Sequence, residues 1–204
     1  MIREHFIEIL ALQHRWSDQA TAAMQRRGVL IRDVVPELFR RNGALSVAQG
    51  GWSPFPMDVQ GKDGIGRKSQ VPWVRFFSPS ESNSATDGWY AVYLFTGDGA
   101  SVVLALMHAS THANGDALIP RDARAIREAV DWARGELGEW MQHDERLLTD
   151  IALRAPKSKV SAAYERSIVA AYEYRVEAMP TTEELLGDLR DVVGALAFLY
   201  FARS

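Results

Sequence analysis

Residues 89–108 constrain the fold more than any other stretch. Trp89-Tyr90-Ala91-Val92-Tyr93-Leu94-Phe95 is rich in aromatic and β-branched residues, and 101–108 is a second apolar run. Between them, Thr96-Gly97-Asp98-Gly99 carries the Asp-Gly signal of a tight hairpin. Alternation along the first run puts Tyr90, Val92 and Leu94 on one face and Trp89, Tyr93 and Phe95 on the other. A further strand is expected at 71–77, joined to this pair through 80–88.

The flanks read as helices. Apolar residues recur at helical spacing from 2 to 27 (Phe6, Ile9, Leu10, Trp16, Ala20, Met24), with Gly28 as the stop. A shorter helix is expected over 34–41, ended by Asn42-Gly43, and another over 121–141 with Ala125, Ile126, Ala129, Val130, Ala133 and Leu137 inward. Five glycines and two prolines between 50 and 69 mark a long loop. A loop is also expected around Asn114-Gly115-Asp116, and a short strand over 147–153. After the polar break Pro156-Lys157-Ser158-Lys159, residues 164–176 suit either helix or strand, their Tyr172/Tyr174/Val176 alternation leaning to strand. Thr181 and Glu184 stand at capping-box spacing before a helix that runs to about Phe201. These elements predict one α+β domain over 1–204, with a central, mostly antiparallel sheet between N- and C-terminal helices. Its parts are a helical 1–45, the glycine-rich 50–70, a sheet core with one helix over 71–176, and a terminal helix over 181–202.

Composition narrows the chemistry. The absence of cysteine excludes disulfides, thiolate metal sites and cysteine nucleophiles, and suits a reducing cytoplasm. The chain opens on Met1-Ile2-Arg3-Glu4-His5 without a signal-peptide pattern, and the apolar run 192–202 is about half of what spans a bilayer. A cytoplasmic protein with no membrane partner is expected. The net charge of -3 gives no support to nucleic-acid binding, so any such case must rest on a local basic patch.

Gly61-Lys62-Asp63-Gly64-Ile65-Gly66-Arg67-Lys68-Ser69 approaches a P-loop, but Arg67 intrudes before the lysine and Val71-Pro72-Trp73 follows where a helix should start. Exposed amides with Arg67, Lys68 and Ser69 suit a DNA phosphate, and a solvated loop accounts for them equally. His108 and His112 straddle a strand end and a loop without a cluster of acidic partners, so no metal site or cofactor is expected. No Ser/His/Asp order or nucleophile elbow appears, and no catalytic residue is assigned. Trp52, Trp73, Trp89, Tyr90 and Tyr93 crowd around the glycine-rich loop. Core packing is the simpler reading, above all for Trp89 and Tyr93, and a stacking cage for a planar ligand is the sharper one.

The order Gly64-Ile65-Gly66, Val71-Pro72-Trp73, Gly88-Trp89-Tyr90-Ala91-Val92-Tyr93-Leu94-Phe95, a strand over 102–107, Tyr164-Glu165-Arg166-Ser167-Ile168 and a closing Asp188-Leu189 helix resembles a known family. It is that of the N-terminal DNA-binding domains of McrB-type, modified-cytosine-dependent restriction enzymes. The resemblance covers about 61–200 and is weaker over the N-terminal helix. It implies a module that reads duplex DNA by extruding a modified base, 5-methylcytosine being the expected one, into an aromatic pocket. Carried over by position, Trp73, Tyr90, Leu94 and Tyr164 would form that pocket. Ile65 stands where the family has an aromatic residue between glycines, a departure at one wall. Arg67, Lys68, Ser69, Lys157 and Lys159 are the expected DNA-backbone contacts. The resemblance implies that the partners are double-stranded DNA and a motor or nuclease in another segment or subunit. Two rivals are a metal-dependent nuclease or hydrolase assembled only in three dimensions, and a protein-interaction domain with a degenerate pocket.

Overall fold

The computed structural model describes residues 1–41, 55–64, 66–115 and 117–203. The Asn42-Gly43 stop, Trp52 and Ile65 lie outside the described residues. Five strands form one antiparallel sheet in the order β1-β2-β3-β4-β7: β1 Asp58–Lys62, β2 Trp73–Phe77, β3 Trp89–Phe95, β4 Ser101–His108 and β7 Ile168–Arg175. The expected hairpin joins β3 to β4, with Tyr93 opposite Leu104. A second hairpin, β5 Thr111–Asn114 with β6 Ala117–Pro120, stands apart from the sheet. The fold is α+β, and the sheet's two faces are covered differently.

One face is closed by helices. These are α1 Ile2–Gln13; a rod made of α2 Ala22–Val29, a π-helical turn Leu30–Val34 and α3 Val35–Arg41; and α7 Thr182–Arg203. Phe6, Ile9, Leu10, Phe39, Leu189 and Leu196 pack against Phe76, Ala91, Tyr93 and Leu104 with their side chains fully buried. The other face carries α6 Ser161–Ser167, the segment 148–160 and the β5–β6 hairpin. The helices α4 Ala123–Glu136 and α5 Gly138–His143 run beside the sheet. No helix of the described residues is long and apolar enough to cross a membrane.

Several expectations are corrected. The first helix ends at Gln13, and a new one starts at Ala22, where the Thr21 hydroxyl caps the Met24 amide at 3.3 Å. Gly28 does not stop that helix. It permits close approach, since a Cβ there would lie 2.9 Å from the Asp63 carboxylate and 2.5 Å from the Arg32 guanidinium. The rod passes through its π turn just before Pro36, which has no N–H to donate. The π turn lets β1 come near: a Cβ on Gly61 would fall 1.7 Å from the Ile31 carbonyl oxygen. Part of the expected 50–69 loop is therefore an edge strand. Gly115 turns as expected, but between two strands, β5 and β6, that were not expected there; Asp116 lies outside the described residues. Residues 147–153 form only an isolated bridge, Leu148 to Ala171. Residues 164–176 are both predicted things in succession, the end of α6 and then β7. Ala125, expected inward, is exposed, while Ile126, Val130 and Ala133 are buried. The capping box forms as expected, Thr181 N–H donating to Glu184 at 2.8 Å and Glu184 N–H to Thr181 at 3.2 Å.

Candidate functional site

The second face of the sheet holds a cavity of about 490 Å³, within the size range of small-ligand sites. Its position follows from strand register. Directly opposed residues of an antiparallel pair share a face, and Lys62 opposes Trp73, which opposes Leu94, which opposes Val103. A parallel row runs Gln60, Arg75, Val92, Ala105, and Tyr90 opposes Met107 nearby. Val92, Leu94 and Met107 form the apolar floor, with Trp73 and Tyr90 beside them. Helix α6 lowers Tyr164 onto the same space, and Val160 just before it completes that wall. Trp73, Tyr90, Leu94 and Tyr164, far apart in sequence, thus line one cavity.

Trp73 and Tyr164 each keep 9% of their surface exposed, so most of each ring is packed and the remainder faces the opening. Burial lifts the Tyr164 phenol to about 12, and the nearby Trp73 side chain partly offsets the rise. Burial raises Tyr90 as well, with the Arg75 and Arg121 charges partly offsetting it. Both phenols are neutral hydrogen-bonding groups at physiological pH.

Two loops make the rim, and side chains fix both. Tyr90 Oη donates to the Ala85 carbonyl at 3.2 Å, and Arg75 Nη1 donates to Ser82 Oγ at 3.2 Å, which donates to the Asp87 carbonyl at 2.6 Å. Arg121 Nη2 donates to the Thr86 carbonyl at 2.7 Å and its Nε to the Thr111 carbonyl at 3.2 Å, tying this loop to the β5–β6 hairpin. Arg75 is itself buried beneath Tyr90, its guanidinium carbon 3.7 Å from the Phe77 ring centroid and 5.7 Å from that of Tyr90.

The glycine-rich segment forms the opposite lip, held by the N-terminal helices. Trp16 Nε1 and Arg27 Nη2 both donate to the Ser69 carbonyl at 2.9 Å, and Gln13 Nε2 donates to the Gln70 carbonyl at 2.7 Å. Below lies fully buried Asp63, which accepts from Arg27 at 2.6 Å and Lys68 at 2.9 Å and faces Arg32 at 3.6 Å.

The five residues expected to meet phosphate fall into different situations. Lys68 is 13% exposed and engaged with Asp63. Ser69 reaches the cavity, but its hydroxyl is bonded to Val71. Arg67 is 86% exposed, 3.9 Å from Asp18. Lys157 and Lys159 are exposed, the Lys157 ammonium 5.5 Å from the Trp16 ring centroid. The Lys157 amide donates to Gln70 Oε1 at 2.8 Å, which brings the 157 and 67–70 segments to the same lip.

Sequence reasoning did not assign Lys62, Met107, Val160, Arg121 or the rim residues Ser84–Thr86 to the site. The Asn114-Gly115 pair is a hairpin signal that would have located one rim. Lys62 carried no such signal, because β1 (Asp-Val-Gln-Gly-Lys) holds a single large apolar residue.

His108 closes β4 on the helix-covered face, edge-on to Trp89 at 4.7 Å, and His112 is exposed on β5, so the pair forms no common site. Among the described residues no group of three or more His, Asp or Glu side chains is placed to hold a metal ion. A family profile described as "MrcB-like, N-terminal domain" matches residues 12–200. No curated protein and no solved structure matches the chain.

Proposed function

The chain belongs to the MrcB-like N-terminal domain family, and from that premise we propose that it reads duplex DNA by drawing a modified base, 5-methylcytosine foremost, out of the stack and into the cavity. The observation that carries this reading is the convergence of Trp73, Tyr90, Leu94 and Tyr164 on one cavity with an apolar floor. Its lining of aromatic rings, aliphatic groups, hydroxyls and one ammonium suits stacking and hydrogen bonding to a planar ligand. Trp73 and Tyr164 supply the stacking surfaces. Leu94, Val92 and Met107 supply an apolar slot for a methyl group.

The energies are compatible. Extruding a base from a duplex costs a few kcal/mol, and each aromatic stacking contact returns about 1–3 kcal/mol. Two such contacts offset extrusion, so affinity then depends on phosphate contacts and specificity on the slot. A single methyl in an apolar slot discriminates by about 1–3 kcal/mol. The module acts as the targeting part of a restriction system in the cytoplasm. It performs no reaction of its own; motor and nuclease act from other segments or subunits.

The test is a titration of the chain against matched duplexes bearing cytosine, 5-methylcytosine, 5-hydroxymethylcytosine or N6-methyladenine at one salt concentration. The 5-methylcytosine duplex should bind roughly 10–200-fold tighter than the unmodified one. Equal affinity for all four, or no binding even at low salt, sinks the reading.

A further inference from the structure

We infer that Lys62, not Lys68, is the cation that takes a DNA phosphate at the mouth of the cavity, an assignment that rests on the base-reading proposal above. The two lysines are six residues apart and their surroundings differ in kind. Lys68 is spoken for: its ammonium lies 2.9 Å from Asp63, which is fully buried and is also held by Arg27. Turning Lys68 toward DNA would remove a charge partner from a buried carboxylate, a costly exchange.

Lys62 has no such commitment. It ends the edge strand β1 as the register partner of Trp73, so both side chains leave the same face of the sheet, and both line the cavity. It is half-buried, and its ammonium makes no ion pair or hydrogen bond with a described residue. An unpaired ammonium beside a stacking indole has one evident use in this setting. A nucleotide whose base is stacked on Trp73 keeps its phosphates outside the cavity, at the level of the rim where Lys62 stands. A lysine acts there as a point charge that displaces a condensed counterion and does not read sequence. Arg67 and Lys157, on the lip next to it, extend the same positive edge.

The experiment measures Kd against salt concentration for wild type, Lys62→Gln, Lys62→Arg and Lys68→Gln, on modified and unmodified duplexes, with a melting curve for each protein. Lys62→Gln should weaken both duplexes alike, roughly fivefold at 0.15 M salt, and reduce the salt slope by about 0.9. Its melting temperature should match wild type, and Lys62→Arg should restore the slope. Lys68→Gln should melt earlier and keep the wild-type slope when measured folded. An unchanged slope in Lys62→Gln overturns the inference and leaves the lysine as a guard of the sheet edge. A loss confined to the modified duplex also overturns it, since Lys62 would then be touching the base. If wild type binds no duplex at low salt, the base-reading proposal itself has failed.

Discussion

The two faces of the sheet are made by the same strands, and they use their aromatic residues in opposite ways. On the helix-covered face Tyr93 has no exposed surface: Phe6, Phe39 and Phe76 surround it at centroid distances of 4.8 to 6.2 Å, and its hydroxyl donates to the Leu185 carbonyl at 3.0 Å. Three residues earlier, Tyr90 points to the other face, where the neighbouring rings stop short of closing the space and leave the cavity. A core that spends every ring on packing is stable and inert. A face that leaves ring surface uncovered gives up packing energy for a place where another flat molecule can lie.

The strongest way to break this comparison is to truncate one ring on each face. Tyr93→Ala should cost about 3–5 kcal/mol in denaturant unfolding, since it removes a fully packed ring and with it the bond from its hydroxyl to the Leu185 carbonyl. Trp73→Ala should cost less stability, because that ring borders the cavity and so is not packed on every side. It should instead lose about 1–3 kcal/mol of affinity for modified DNA when measured on folded protein in the cold. A Trp73→Ala protein that melts as early as Tyr93→Ala yet binds normally in the cold would make both faces plain core.

A second test concerns charge on the closed face. His108 is held neutral down to about 4, mainly by burial and then by the Arg121 charge, with Arg203 adding a little and the Ala109 backbone and Asp87 opposing it. Its Nδ1 is buried without a hydrogen-bond partner. The folded value lies below the unfolded one of about 6.5, so between these limits the unfolded chain binds more protons. Stability is therefore full above about pH 6.5 and falls as pH drops toward 4, by up to about 3 kcal/mol before solvent screening at the ring's open edge is allowed for. His108→Phe should flatten that part of the stability–pH curve. If wild type and variant keep parallel curves from pH 7 to 4, the histidine is not sealed in as described.

How much of this was legible in the sequence differs by face. The closed face was, because aromatic alternation in 89–95 and helical spacing in the flanks are strong signals of burial: Trp89 and Tyr93 are core, as their pattern suggests. The cavity face was legible in part: alternation put Tyr90, Val92 and Leu94 together, while Tyr164 joined them only through the family resemblance. Tyr164 sits where a helix turns into a strand, so no single period describes 164–176. Lys62 lies in a strand whose glycine and polar residues look like loop, and that strand exists because a π turn and Gly61 let it dock. Lys68 and Asp63 stand five residues apart in one glycine-rich segment, and no pattern in that segment announces that the two pair. Short-range patterns report which side chains avoid water; they do not report which charges find each other.

The smallest expected effect probes how the cavity's wall is held. Tyr90 contributes its ring to the lining and its hydroxyl to the Ala85 carbonyl at 3.2 Å. Tyr90→Phe keeps the ring and removes only that bond. A neutral hydrogen bond of this kind is worth about 0.5–1.5 kcal/mol net. The Ala85 carbonyl stands at a half-buried rim, where water can replace the phenol, so the lower part of that range applies. The loop stays anchored through Arg121 to Thr86 and through Ser82 to Asp87, so it should not come loose. Stability should therefore fall by about 0.5–1 kcal/mol, and affinity for modified DNA by no more than a few-fold, with the preference for modified over unmodified duplex intact. Loss of that preference in Tyr90→Phe would mean that the hydroxyl meets the base directly. The wall would then be part of the reading device, and the division between a packing face and a recognising face would have to be drawn one residue further into β3.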